Sequence, residues 1–546
     1  MKRVVAPRIP EGELSIRGAT IFDGSGAPGF RGDLLVRSGR IVALGTCGGA
    51  AREIDATGLF ACPGFIDIHG HSDLSLLADR RGLSKLLQGI TTEASGQCGM
   101  SPFPVPAARY EEFRALLAYS WAAVEITWRD ATGYLTELRR EPLGLNVCPF
   151  LGGNVAALEM DREAKQGRLE LEREALEGLW GLSLGLAYEP LSRWPTEALG
   201  RLAAAAAGKT LAVHMRSEGE QLLESIAESL ALAARQPVRI EIAHLKASRR
   251  GNWGKMRDAL AAVEEARRQG VDVAFNVYPY KASSTFLAAT LPDWLLAEGQ
   301  DSAIKLLQRP EVVQRLREDY RSGRGFLSIG AENILLAQVE AEEYGWAEGM
   351  TLSAAAERVN GDALGLAVDM LVAARGQVNA VFFSMSEDDV RLALTHPLGS
   401  ICTDGMALCP QGPTSRGKPH PRSYGAFPRF LGHYVRDEGL LEWPEAIRKC
   451  TSWPASRLGL RSRGLLRPGY AADIVLFDPE AIHDTATFED PHQLAKGIRY
   501  VIVNGVLSVD DGEFTGLLGG QVLDPGEEQR PMRAGGPGSA QVRVAG

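Results

Sequence analysis

The sequence predicts an α/β protein: a (β/α)8 TIM-like barrel with a small β-sandwich domain built from both chain termini. Three observations carry this reading. Apolar, β-branched runs alternate with helical patterns over roughly 350 central residues. Short strands divided by Gly- and Asp-rich turns occupy both ends of the chain. Histidines close several central runs, where a barrel gathers its active site.

At the front, residues 14–18, 20–22, 33–37 and 41–44 read as strands, broken by Asp23-Gly24-Ser25-Gly26 and Ser38-Gly39-Arg40. Residues 472–477 and 499–507 repeat the pattern, so residues 1–60 and 461–523 are expected to form the sandwich. Residues 524–546, rich in Gly, Pro and Glu, are expected to be a loose tail. The barrel is expected over 61–460. Runs near 64, 90, 145, 182, 211, 239, 271, 379 and 398 compete for its strands, one run too many for eight places. Residues 288–350, with Trp294 and Trp346, are the expected insertion or lid.

Composition narrows the function. Lys and Arg number 59 against 68 Asp and Glu, a net charge of −9, and the charges are scattered, so nothing points to nucleic acid. No window approaches a membrane span, and residues 1–8 are basic without a following apolar run, which predicts a cytoplasmic protein. Seven cysteines in an odd, sparse set predict reduced thiols.

The chemistry begins in Gly64-Phe65-Ile66-Asp67-Ile68-His69-Gly70-His71-Ser72-Asp73. Read as a strand, this run turns His69 and His71 to the same side, a pair able to clasp a metal. His214 and His244 close two further apolar runs. Cys98 follows the run near 90, and its thiolate is a soft ligand that suits zinc, holding one metal or bridging two. Asp404, in Thr403-Asp404-Gly405 after the last run, is the candidate general acid/base. Lys246, two residues beyond His244, with Tyr278 or Tyr280 could grip a substrate carboxylate. Arg216, His420 and Arg422 are weaker binding candidates.

With these residues in hand, the chain resembles the N-acyl-D-amino-acid deacylases (D-aminoacylases) of the amidohydrolase superfamily. The resemblance rests on the 64–73 run, Gln88-Gly89-Ile90-Thr91-Thr92-Glu93 leading to Cys98-Gly99, His244-Leu245-Lys246 and Asn276-Val277-Tyr278-Pro279-Tyr280. It continues through Thr403-Asp404-Gly405, His420-Pro421-Arg422-Ser423-Tyr424-Gly425 and the Gly- and Ala-rich turn at 469–475. It implies a tight zinc on Cys98, His214 and His244, and a second, weaker site faced by His69 and His71. It implies Asp404 as the catalytic acid/base and Lys246 with a tyrosine on the substrate carboxylate. Leu245 departs from the family, where a second His often precedes the Lys. The implied reaction is zinc-dependent hydrolysis of a small N-acyl-D-amino acid to a carboxylate and a free D-amino acid. The apolar stretch 285–291 favours neutral side chains over D-Glu or D-Asp. The rival readings are a cyclic-amide hydrolase of hydantoinase or dihydroorotase type and a noncatalytic metal-binding relative. The first usually needs a carboxylated Lys on the fourth strand, and residues 181–188 contain none.

Overall fold

The computed structural model describes residues 14–48, 50–118, 124–159, 176–233, 237–322 and 325–528. The basic start at 1–8 lies outside the described residues, as does 529–546 of the expected tail. The rest of that tail includes a helical turn, Pro525–Glu528, whose Glu528 accepts from Ser462 Oγ at 2.7 Å.

Eight parallel strands form the barrel: Phe65–Asp67 (β1), Ile90–Ser95 (β2), Asn146–Gly152 (β3), Gly181–Gly185 (β4), Thr210–His214 (β5), Arg239–Ile242 (β6), Val273–Val277 (β7) and Gly399–Ile401 (β8). Each pairs with its neighbours in sequence, as repeated β-then-α units dictate. All but the edge residue Arg239 are buried, which is why these strands read as continuous apolar runs and not as alternating ones. β1 and β8 stand at the two ends of this order, and the gap between them is bridged just past their ends. There Asp404 N donates to His69 O and His71 N donates to Gly405 O, both at 2.9 Å.

The surplus ninth run is Val378–Phe383. It is the central strand of a three-stranded antiparallel sheet, between Ala282–Phe286 and Ile334–Val339, in the segment that separates β7 from β8. Its two faces are both covered: Val378, Ala380 and Phe382 join the apolar core of the inserted segment, while Val381 packs with Met406, Leu408 and Tyr424. A strand buried on both sides looks the same in sequence whether its partners are parallel or antiparallel.

Strands from both termini form one nine-stranded sheet. The two halves of the chain meet where Phe60–Pro63 pairs antiparallel with Ile474–Phe477. Alternation along that strand divides its labour: Ile474 and Leu476 join the core of the terminal sheet, whereas Val475 and Phe477 pack against the barrel. Gly64 then leads into β1, and a Cβ there would lie 2.1 Å from Thr91 Oγ1, so only glycine fits.

One buried charge in this framework is costly. Lys449, on the helix Trp443–Cys450, is fully buried, and among the described residues its ammonium donates to His396 O and pairs with no carboxylate. Burial pushes its pKa down to about 7. An unfolded lysine stays protonated to about pH 10.4, so between these values the unfolded chain binds more protons and stability rises with pH. Lys449→Met is expected to raise the melting temperature at pH 7 by about 3 °C or more and to flatten the rise between pH 7 and 9. A variant with the wild-type slope, followed by calorimetry, would contradict this assignment.

Candidate active site

Every sequence-predicted metal ligand stands at the same mouth of the barrel. β1 ends at Asp67, so His69 and His71 lie beyond the strand and not on it as the sequence suggested. The reason is the buried Asp67 carboxylate, whose Oδ1 accepts from His69 N at 3.3 Å and Thr403 N at 3.0 Å in place of ladder bonds. The two imidazoles nevertheless converge: His71 Nε2 and His69 Nε2 lie 3.2 and 3.5 Å from Asp404 Oδ1. His214 ends β5, and His244 lies two residues past β6.

Cys98 is the meeting point. Its Sγ lies 3.3 Å from His69 Nε2, 3.4 Å from His214 Nδ1 and 3.4 Å from His244 Nε2. Cys98, His244 and Asp404 all have left-handed backbone, with φ of 54°, 35° and 47°. Such residues cost about 1–3 kcal/mol each and persist only where their surroundings hold them. Asn276 Oδ1 accepts from His244 N at 2.7 Å. Ser183 Oγ on β4 accepts from Gly99 N at 2.9 Å and donates to Gly96 O, steadying the loop that carries Cys98.

Two ligand groups share the sulfur: His69, His71, Cys98 and Asp404 in one, Cys98, His214 and His244 in the other, with donor atoms in each within 4.8 Å of one another. Thiolate, imidazole and carboxylate donors suit zinc. The electrostatics agree with a cation there. Burial pushes His69 well below the usual histidine range and His214 to about 3, so both imidazoles are neutral, the form that coordinates. Burial, reinforced by Asp404, raises the Cys98 thiol well above its ordinary value, so its thiolate requires a compensating positive charge. Burial also raises the Asp404 carboxyl, but Arg422, whose Nη1 lies 2.8 Å from Oδ2, and then the histidines outweigh it and hold Asp404 well below the usual range.

The surrounding residues divide. Lys246 and Tyr278 line a cavity of about 1380 Å³ together with the ligand groups. Lys246 Nζ donates to Glu218 and lies 5.6 Å from the centre of the Tyr278 ring. The Tyr278 hydroxyl is buried with no hydrogen-bond partner among the described residues. Tyr280 turns instead towards Arg429, 5.0 Å from its ring centre, and Asp484. His420 is structural: Nε2 faces Ala282 O at 3.0 Å and Nδ1 accepts from Arg422 N. Arg216 is committed to Glu228. Leu245 packs into the barrel core.

Glu218 was not singled out in the sequence. Its Oε1 lies 3.0 Å from His244 Nδ1 and also accepts from Lys246, so it can orient the imidazole whose other nitrogen faces Cys98. Burial raises its carboxyl, but Lys246 and His244 more than reverse this. The one available signal was its position four residues past His214. On β4, Ser183 supports the Cys98 loop, and the strand offers no lysine to bridge metals.

The profile of the amidohydrolase family matches residues 52–509. N-acyl-D-aspartate deacylase of Alcaligenes xylosoxydans xylosoxydans is 34% identical over 95% of this chain and 96% of its own. D-aminoacylase of the same organism is 33% identical over 94% of this chain and 97% of its own. The crystal structure of N-acyl-D-glutamate deacylase from Bordetella bronchiseptica holds zinc and a phosphonate inhibitor that mimics the reaction's tetrahedral intermediate. It matches with a TM-score of 0.77 at 30% identity, covering 94% of this chain and 100% of that one. With the likeness running from residue 52 to 509, through terminal sheet, barrel and insertion alike, the chain belongs to the amidohydrolase family.

Proposed function

We propose that this protein hydrolyses N-acyl-D-amino acids to a carboxylate and a free D-amino acid. Cys98, His214 and His244 hold a tight zinc, His69 and His71 face a second, Asp404 is the general acid/base, and Lys246 with Tyr278 holds the substrate carboxylate. The observation that carries the reading is the Cys98 sulfur shared by two ligand groups, with Asp404 in one of them, at the base of a cavity. The names of the relatives, deacylases of N-acyl-D-aspartate and N-acyl-D-glutamate and a D-aminoacylase, support the substrate class. Bound zinc supplies Lewis acidity to the acyl carbonyl and to water.

The chain's own residues do the rest. Arg422 keeps Asp404 ionised across the neutral range, ready to take a proton from water and return it to the leaving amine nitrogen. Lys246 Nζ donates to Glu218 and lies 2.7 Å from His244 Nδ1, which leaves it a proton for substrate, and the Tyr278 hydroxyl, without a partner among the described residues, is a second donor. Together they fix one substituent of the chiral carbon and so decide which way the others point. Phe286, Leu291 and Phe382 supply an apolar wall from the inserted segment, which favours neutral side chains. Seven free thiols support the cytoplasm as the place of action, and no described helix is long and apolar enough to cross a membrane.

Zinc-loaded enzyme is expected to release amino acid from N-acetyl-D-amino acids, neutral ones fastest, and not from their L enantiomers; chelation should stop it. Opening of a hydantoin, or release from L substrates, would overturn the reading. Asp404→Asn is expected to lower kcat by roughly 10³-fold or more while zinc remains on Cys98, His214 and His244. Near-normal turnover in that variant, measured beside its zinc content, would remove Asp404 from the chemistry.

A further inference from the structure

Beneath the ligand groups lies a buried ionic knot that this reaction scheme leaves unused. Lys85, in the short helix Leu83–Leu86, is wholly buried, as are both acids it meets, Asp67 on β1 and Glu93 on β2. Its Nζ donates to Asp67 Oδ2 at 2.6 Å, Thr403 Oγ1 at 2.7 Å and Gly405 O at 3.1 Å, and lies 3.0 Å from Glu93 Oε2. Burial alone would discharge it, but Asp67 and Glu93 outweigh burial and leave its pKa above the ordinary lysine value. An ammonium has three protons, and here all are spent on the protein.

The partners of this cation bracket the chemistry. Asp67 Oδ1 accepts from Thr403 N and His69 N. Glu93 accepts from Ser72 N at 3.0 Å and Ser72 Oγ at 2.7 Å, just past His71. Thr403 Oγ1 accepts from Gly405 N at 3.0 Å. Residues 403 and 405, on either side of Asp404, and residues 69 and 72, on either side of His71, are thus tied to one charge. Asp404 itself has φ of 47°, a conformation that L residues avoid and that needs restraint from outside. No other member of this knot could replace the ammonium: the carboxylates and the carbonyl only accept, and each hydroxyl has a single proton, already given to Asp67 or Glu93.

We infer that Lys85 is a positioning residue: its ammonium fastens β1, β2 and β8 together and holds Asp404 in register with His69 and His71. The Cys98, His214 and His244 group rests on Ser183 and Asn276 and stands without it. The inference rests on the assignment of Asp404 as the general acid/base.

The test compares wild type with Lys85→Met and Thr403→Val, the latter removing one hydroxyl from the knot. Cobalt(II) titration followed by visible absorption reports each ligand group without turnover, and kcat and KM are measured on the zinc-loaded proteins. In Lys85→Met the first metal equivalent is expected to bind as in wild type, and the second at least ~10-fold more weakly. kcat should fall about 100-fold, with KM within about threefold. Thr403→Val should shift the same quantities by less. Because Lys85→Met leaves two carboxylates buried beside each other, it can fail to fold, and Thr403→Val then decides. A folded variant with unchanged kcat and unchanged second-metal binding would overturn the inference. So would loss of both metal equivalents together with melting temperature, which is the mark of a general scaffold role. Absence of deacylase activity in wild type would overturn the proposed reaction instead, while the cobalt titration still reads whether Lys85 governs the His69, His71 and Asp404 group.

Discussion

Three imidazoles approach one sulfur atom to within 3.4 Å, and the rest of the barrel mouth is arranged to make that possible. Such crowding of buried polar groups is unfavourable without a cation: neutral His69 and His214 face an un-ionised thiol. The chain accepts further cost in the same place, because Cys98, His244 and Asp404 all stand in left-handed backbone. Each of these residues, or its immediate neighbour, is held by a buried polar group on a different strand. Ser183 comes from β4, Asn276 from β7 and Asp67 from β1.

Charge is handled in layers around this centre. Next to the candidate ligands, Arg422 faces Asp404 Oδ2 and Glu218 faces His244 Nδ1, one cation and one anion. Beneath them, Lys85 joins Asp67 and Glu93 with no solvent contact. Buried charges of this kind add little net stability compared with apolar packing. Their value lies in direction: each fixes the backbone or ring on which a ligand sits. The cavity above is closed partly by the inserted segment, whose own apolar core makes it a separate packing unit on the barrel rim.

The barrel was legible in the sequence because parallel strands buried on both faces leave unbroken apolar runs, and the candidate ligand residues stood out because they lie at or just past the ends of those runs. The limits have the same cause. The run at 378–383 carries the same signature as a barrel strand, although its partners are antiparallel. His69 and His71 were expected to share a strand face, whereas the strand stops at Asp67 and side-chain bonds make the turn. Lys85 was not singled out in the sequence, since its partners lie 18, 318 and 320 residues away. The choice between Tyr278 and Tyr280 was equally closed to sequence, because it depends on which ring faces the cavity and which faces Arg429.

The central claim is that Cys98 ligates the metal together with histidines from other strands. X-ray absorption at the zinc edge, on protein carrying one zinc per chain, tests it most directly. The account predicts one sulfur scatterer at about 2.3 Å and imidazole nitrogens at about 2.0–2.1 Å, with the sulfur contribution lost in Cys98→Ala. A shell of nitrogen and oxygen alone in the wild-type protein would contradict it.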